Sequence, residues 1–298
     1  MVDICKVAQL RGIDRTESVA LKQFRRTIPL IFPLLNLPLE VKRSRSDKTP
    51  FQSYRNSQML EVCIDTIQAA LIAEKGGANR IELCSALDLG GVTPSGPLIS
   101  AVRRSTKLPL IVLVRSRAGD FFYEDIDCDL MVQEAKQAIE LGADGIAVGG
   151  LVASMDLDLT FLRSVVNALP KCQLVMHRAF DQVREPRVAL ERLVELGFSR
   201  ILTSGGPEMA INGIDELHRL CECAHGRIEI LPAGGVGPSN ALEILTKSGA
   251  DQLHGSFRET RKGKSGGVKA SEMLPKLTSI QHTQAILTSF QRRRRKSS

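Results

Sequence analysis

The chain has 298 residues, 43% of them hydrophobic and 24% charged, which is ordinary for a globular protein long enough to bury one large core or two smaller ones. Its net charge of +7 sits at the ends: residues 1–58 carry eleven Lys/Arg against five Asp/Glu and Arg292–Lys296 adds five more positive charges, leaving the body between them at −4. A mildly acidic body with no Trp and 4% aromatic residues argues against a specific nucleic-acid-binding fold and against a base-stacking platform.

In chain order, the first 58 residues read as a basic extension. Pro29, Pro33 and Pro38 interrupt the apolar run Ile28–Val41, which is too short and too broken to span a membrane. Ser44–Gln58 is polar and Ser-rich, so 1–58 is expected to be largely disordered, with the folded body starting near Met59. The seven cysteines form no Cys-x-x-Cys pair and follow no secretory signal. Free thiols in a reducing compartment, the cytoplasm or nucleus, are therefore expected.

The body opens with Glu61-Val62-Cys63, a helical run closed by Gly76-Gly77, and then Glu82-Leu83-Cys84. A strand–helix–strand of this length makes the two strands parallel neighbours. Alternation puts Glu61 and Cys63 on one face and Glu82 and Cys84 on the matching face next door. With the strands in register, two thiols and two carboxylates converge at the strand ends; the competing reading makes both cysteines small buried apolar residues.

Similar segments recur at Gly76–Ile81, Gly142–Ile146, Gly197–Ile201 and Gly249–Leu253, alternating with the apolar runs Leu60–Ile64, Leu110–Val114, Gln173–Met176 and Ile228–Leu231. This predicts eight strands beginning near 60, 80, 110, 145, 173, 200, 228 and 252, with helical patterns between them: a (β/α)8 TIM barrel of the α/β class over 59–280, followed by a basic tail at 281–298. A doubly wound sheet would need a Gly-x-Gly-x-x-Gly after its first strand, where Cys63 and Asp65 stand instead.

Chemistry in such a barrel sits at the C-terminal strand ends. Those positions hold Glu61 and Cys63, Glu82 and Cys84, Arg115 and Arg117, His177 with Arg178 and Asp181, Gly234-Gly235, and His254 with Ser256. Arg115 and Arg117, beside Gly119-Asp120, suit a carboxylate or phosphate; alternatively one of them pairs with Glu61 or Glu82. The Gly-rich turns are able to cradle an anion. His177 and His254 are each read as a general base, a metal ligand or a satisfied core histidine. No lysine follows a strand into the mouth, which disfavours a Schiff-base mechanism.

The stretches Leu60–Cys63, Arg80–Cys84, Gly90–Ser95, Arg117–Phe121, Gly142–Gly145, His177–Asp181 and Leu202–Gly206 together resemble the CutC family, named for copper homeostasis. The resemblance implies a TIM barrel that self-associates and binds Cu(I) through Cys63 and Cys84, in keeping with the preference of soft thiolates for that ion. Arg115-Ser116-Arg117 stands where relatives commonly read Arg-Pro-Arg, and Ala233 where Gly is usual. The expected function is thus copper homeostasis through Cu(I) held by the paired cysteines, in a homo-oligomer with no membrane or nucleic-acid partner. The alternative is an enzyme acting on a small phosphorylated or carboxylated compound. Glu61, Glu82 and His177 would then handle protons, and Arg115, Arg117, Arg178, Gly234 and Gly235 would hold the anion. A regulatory scaffold using only the outer surface is the third class.

Overall fold

The computed structural model describes residues 59–260 and 276–297; the expected extension over 1–58 lies outside them. A barrel strand is covered on both faces, and β1 (Met59–Ile64) is buried at every position. Thr66 ends it and starts α1 (Ile67–Gly76), its hydroxyl accepting the Ala69 N–H at 3.1 Å, the usual N-cap arrangement. Gly77 closes the helix at φ 92°, a left-handed conformation that favours glycine.

The same unit repeats through β2 (Arg80–Leu83), α2 (Gly96–Ser105), β3 (Leu110–Leu113), α3 (Asp125–Glu140), β4 (Gly145–Val148), α4 (Leu159–Ala168), β5 (Gln173–Met176), α5 (Pro186–Leu196), β6 (Arg200–Thr203), α6 (Ile214–Ala224), β7 (Glu229–Pro232), α7 (Ala241–Ser248) and β8 (Gln252–Gly255). All eight strands are parallel, in the order β7-β6-β5-β4-β3-β2-β1-β8. β7 and β8 come together at the closing seam, so the sheet curls into the TIM barrel the sequence predicts.

Alternation sorts the strand residues into two cores. Leu60, Val62, Ile64, Ile81 and Leu83 face outward and pack among the helices. Cys63, Cys84, Ile111, Leu113, Ala147, Val175, Leu202 and Leu231 face inward as one cluster, a filled interior rather than a pore.

After β8 the chain forms a hairpin of β9 (Arg258–Thr260) and β10 (Lys276–Thr278), then α8 (Ile280–Ser297). The stretch expected as a basic tail is therefore helical, and α8 supplies the eighth helix of the ring, packed between α7 and α1. Ile286 and Phe290 are buried in that contact, and Thr283 lies so close to Gly76 that a Cβ there would meet it at 2.9 Å. Among the described residues no helix is long and apolar enough to cross a membrane.

If α8 closes the ring, Phe290→Ala should cost about 3–5 kcal/mol in urea unfolding, the usual loss for a buried phenylalanine. A cost within about 0.5 kcal/mol, typical of a surface position, would mean that the helix is merely laid against the barrel.

Candidate functional site

The register of β1 builds the base of the site. Glu61 lies level with Arg80 on β2 and His254 on β8. Arg80 donates through Nε to Glu61 Oε2 and through Nη2 to Gln252 Oε1 at 2.8 Å. His254 Nδ1 lies 2.7 Å from Glu61 Oε1. A carboxylate only accepts, so this nitrogen carries the hydrogen and Nε2 is turned toward Glu82 Oε2, 3.6 Å away. Burial opposes the charge on Glu61, but Arg80 and then His254 outweigh it, and the carboxyl sits well below the usual carboxylate range. Burial likewise disfavours a charged His254, yet Glu82 and Glu61 together raise its pKa above the ordinary imidazole value. Glu82 itself is pushed up, by burial foremost and by Glu61 nearby.

A second arginine, Arg200, fills the interior at the same end, donating to Gln173 Oε1 at 2.7 Å and Glu229 Oε2 at 3.2 Å. Burial lowers its pKa to about 10, with Arg80 adding to the effect. Arg80 and Arg200 stand out in the sequence only as members of the recurring pre-strand pattern; nothing there marks them as the polar floor of the barrel.

One layer up, Cys63 is level with Glu82 rather than with Cys84, because β2 is staggered against β1. The thiols still meet on the diagonal: Cys63 Sγ and Cys84 Sγ are 3.9 Å apart, well beyond the ~2.05 Å of a disulfide. Cys84 Sγ also lies 3.6 Å from the carbonyl of Ile64. The Cys84 thiol, then burial, push the Cys63 thiol well above its ordinary value. Ligand atoms of Cys63, Glu82 and His254 all lie within 4.8 Å of one another, so the geometry brings His254, one of the two histidines read as possible ligands, to Cys63 and adds Glu82 to the metal candidates.

These groups form one wall of a cavity of about 390 Å³ at the C-terminal strand ends. His177, Arg115 and Phe121 line it on the side of β3 and β5. His177 Nδ1 accepts the Ala179 N–H at 3.1 Å, which leaves the hydrogen on Nε2, a buried atom with no partner. Burial lowers its pKa to about 3, Arg115 contributing, so the imidazole is neutral near pH 7. Gly149 makes room for the ring: a Cβ there would stand 2.8 Å from His177 Cε1. Arg115 is held by the carbonyls of Gly91 at 2.9 Å and Gly119 at 2.6 Å, while its Nε is buried without a partner. Both residues pack on Phe121, with His177 at 5.0 Å between ring centroids and the Arg115 guanidinium 4.9 Å from the centroid.

Arg178, Gly234 and Gly235 also line the cavity. Arg178 is fixed by Asp181 at 2.7 Å, Ser204 Oγ at 3.0 Å and the Glu208 carbonyl at 3.0 Å. A Cβ on Gly234 would meet that carbonyl at 2.7 Å, so the turn admits only glycine there. Arg117 is not among the lining residues. Its guanidinium is taken up by Asp120 at 2.8 Å, the Phe122 carbonyl and the Tyr123 ring. Arg258, which the sequence reading passes over, does line the cavity. It is anchored by Asp88 at 3.0 Å and Asp65 at 3.9 Å.

A family profile described as "CutC family" matches residues 58–259. The chain is 42% identical over 206 residues to the human copper homeostasis protein cutC homolog, covering 69% of this chain and 76% of that one. It is 40% identical over 208 residues to family protein CutC of Histophilus somni (strain 2336), covering 70% and 86%. A crystal structure of CutC from Streptococcus agalactiae superposes with a TM-score of 0.64 at 31% identity, covering 66% of this chain and 98% of that one.

The neutral His177 makes a prediction about acid. In the unfolded chain an imidazole takes up a proton near pH 6.5, whereas the folded one resists until about pH 3. Stability is therefore present above the unfolded value and falls as the pH drops through that window, by ~1.4 kcal/mol per unit. Between about pH 6.5 and 4, His177→Gln should lose roughly 3 kcal/mol less stability than wild type in urea titrations. Equal losses would show that His177 is accessible to protons.

Proposed function

The chain belongs to the CutC family, and we propose that it serves copper homeostasis by holding Cu(I) as cargo between Cys63 and Cys84 at the barrel mouth. The observation that carries this reading is the pair of sulfurs 3.9 Å apart, Cys63 lining the cavity and Cys84 buried behind it, with His254 and Glu82 within 4.8 Å of Cys63. Thiolates are the ligands that select Cu(I) over hard cations. The Cys63 thiol is held protonated by its neighbour and by burial, so capture of the ion expels a proton and apparent affinity rises with pH. Glu82 and His254 fit an accessory role: a carboxylate and an imidazole are harder donors than the two sulfurs.

Anaerobic titration against a Cu(I) chelator should give about one ion per chain, with Cys63→Ser and Cys84→Ser each weakening binding by ~100-fold or more, since even outer contacts of a metal site are worth 10–100-fold. Unchanged affinity in both variants would remove the site. Loss in Cys63→Ser alone would move the ion to Cys63, Glu82 and His254.

A second reading, an enzyme acting on a small anion, draws on a different observation. His177 Nε2 and Arg115 Nε are buried donors without partners in the cavity wall, which copper capture does not use. Arg178 and the Gly234-Gly235 turn supply the charge and the close backbone approach for a phosphate or carboxylate. In a thermal-shift screen of sugar phosphates and small carboxylates, Arg178→Ala should weaken the best ligand by about 1.5–3 kcal/mol, whereas Arg117→Ala should not. If no anion stabilises the wild type, this reading fails.

A further inference from the structure

The enzyme reading leaves open what the two unpartnered donors are for. His177 is 4% and Arg115 5% exposed, and both are in the wall of the cavity. A buried N–H without an acceptor costs about 1–3 kcal/mol, and two such groups on one aromatic ring represent a local cost that a bound acceptor would offset. The two donors are of different kinds. The His177 tautomer is fixed by the Ala179 N–H at Nδ1, so its Nε2 only donates. Arg115 has both terminal nitrogens tethered by the carbonyls of Gly91 and Gly119, and its Nε–H is a buried donor without a partner. A neutral imidazole beside a tethered guanidinium suits one oxygen that gains negative charge, as a carbonyl oxygen does on enolisation; a buried neutral histidine is an established way to polarise such a group.

Resting on the enzyme reading, we propose that His177 Nε2–H and Arg115 Nε–H form the seat of a carbonyl oxygen, and that the cavity takes a small phosphorylated carbonyl compound. The phosphate is held by Arg178 at the Gly234-Gly235 turn, and the carbonyl lies against Phe121. A cavity of about 390 Å³ accommodates a ligand of this size. Of the sequence-derived candidates, His177 thereby takes the part of a hydrogen-bond donor to the substrate rather than of a proton carrier. Arg115 is a second donor whose charge is shared with two backbone carbonyls.

The test is isothermal titration calorimetry of the full chain with phosphoglycolohydroxamate, glycerol 3-phosphate and inorganic phosphate. The first presents a planar oxygen resembling an enediolate; the second keeps the phosphate and lacks a carbonyl. Wild type is expected to bind the hydroxamate at least roughly tenfold tighter than glycerol 3-phosphate, the worth of one charge-assisted hydrogen bond. That preference should vanish in His177→Phe and survive in His177→Gln, which retains an N–H donor. Should His177→Phe fail to fold, Arg115→Lys, which keeps the charge and removes Nε–H, should show the same loss. Equal binding of the two organic phosphates by wild type, or a preference that persists in His177→Phe, would overturn the carbonyl seat while leaving the anion-binding reading intact. Failure of all three ligands to bind would overturn both.

Discussion

A carboxylate inside a barrel has to be paired, and the pairing of Glu61 orders much of what surrounds it. Isolated in the interior it would cost several kcal/mol; paired, it is costly to break, by about 3–5 kcal/mol when one partner is removed. Its partners come from the strands on either side, Arg80 from β2 and His254 from β8. One side chain therefore ties the first strand to the second and to the last, across the place where the chain must close on itself. Any slip of β1 against either neighbour would strand a charge. The stagger that satisfies Glu61 also puts Cys63 level with Glu82, so the position of the thiol above follows from the ion pair below.

The cavity over this base has two unlike sides. Toward β1, β2 and β8 it offers sulfur, carboxyl and imidazole, with Cys63, Glu82 and His254 in mutual reach. Toward β3, β5 and the turn after β7 it offers nitrogen donors: Arg115, His177, Arg178 and glycine backbone. The first side suits a soft cation and the second an anionic oxygen compound. The two sides differ in how burial acts on them. The Cys84 thiol and then burial push Cys63 toward its protonated form, and burial pushes Glu82 in the same direction, so a cation entering there competes with protons. Burial holds His177 neutral, so a donor there is ready without any change of protonation. In the polar base beneath, Arg80 and Arg200 both lie inside the barrel and are both paired, with Glu61 and Glu229.

Much of the fold is legible in the sequence because barrel strands are covered on both faces and read as short apolar runs between helix stops. The strand starts at 80, 110, 145, 173, 200 and 252 coincide with the expected ones, and those near 60 and 228 fall one residue away. The eighth helix is the exception. Ile280–Phe290 carries its apolar residues sparsely, ends in a run of arginines, and follows the Lys-rich stretch after β9, so it resembles a tail although Ile286 and Phe290 are buried. Its burial comes from α1 and α7, a tertiary cause that local pattern does not contain.

The site was legible in its members and not in its connections, for a reason that lies in strand geometry. Alternation fixes which face a residue takes, so Glu61, Cys63, Glu82, Cys84, His177 and His254 are all inward as expected. The stagger between neighbouring strands leaves no mark in either strand, and it alone decides that Cys63 faces Glu82 and that Glu61, not Glu82, receives Arg80. Loops after the strands are less constrained still. Arg115 and Arg117 are two residues apart and alike in type, yet Arg115 turns to the carbonyls of Gly91 and Gly119 beneath Phe121 while Arg117 turns to Asp120 and Tyr123. What separates them is the path of the loop from Gly119 to Tyr123. Its Gly119 carbonyl takes up the Arg115 guanidinium and its Phe122 carbonyl that of Arg117, while the Nε–H of Arg115 is left without a partner.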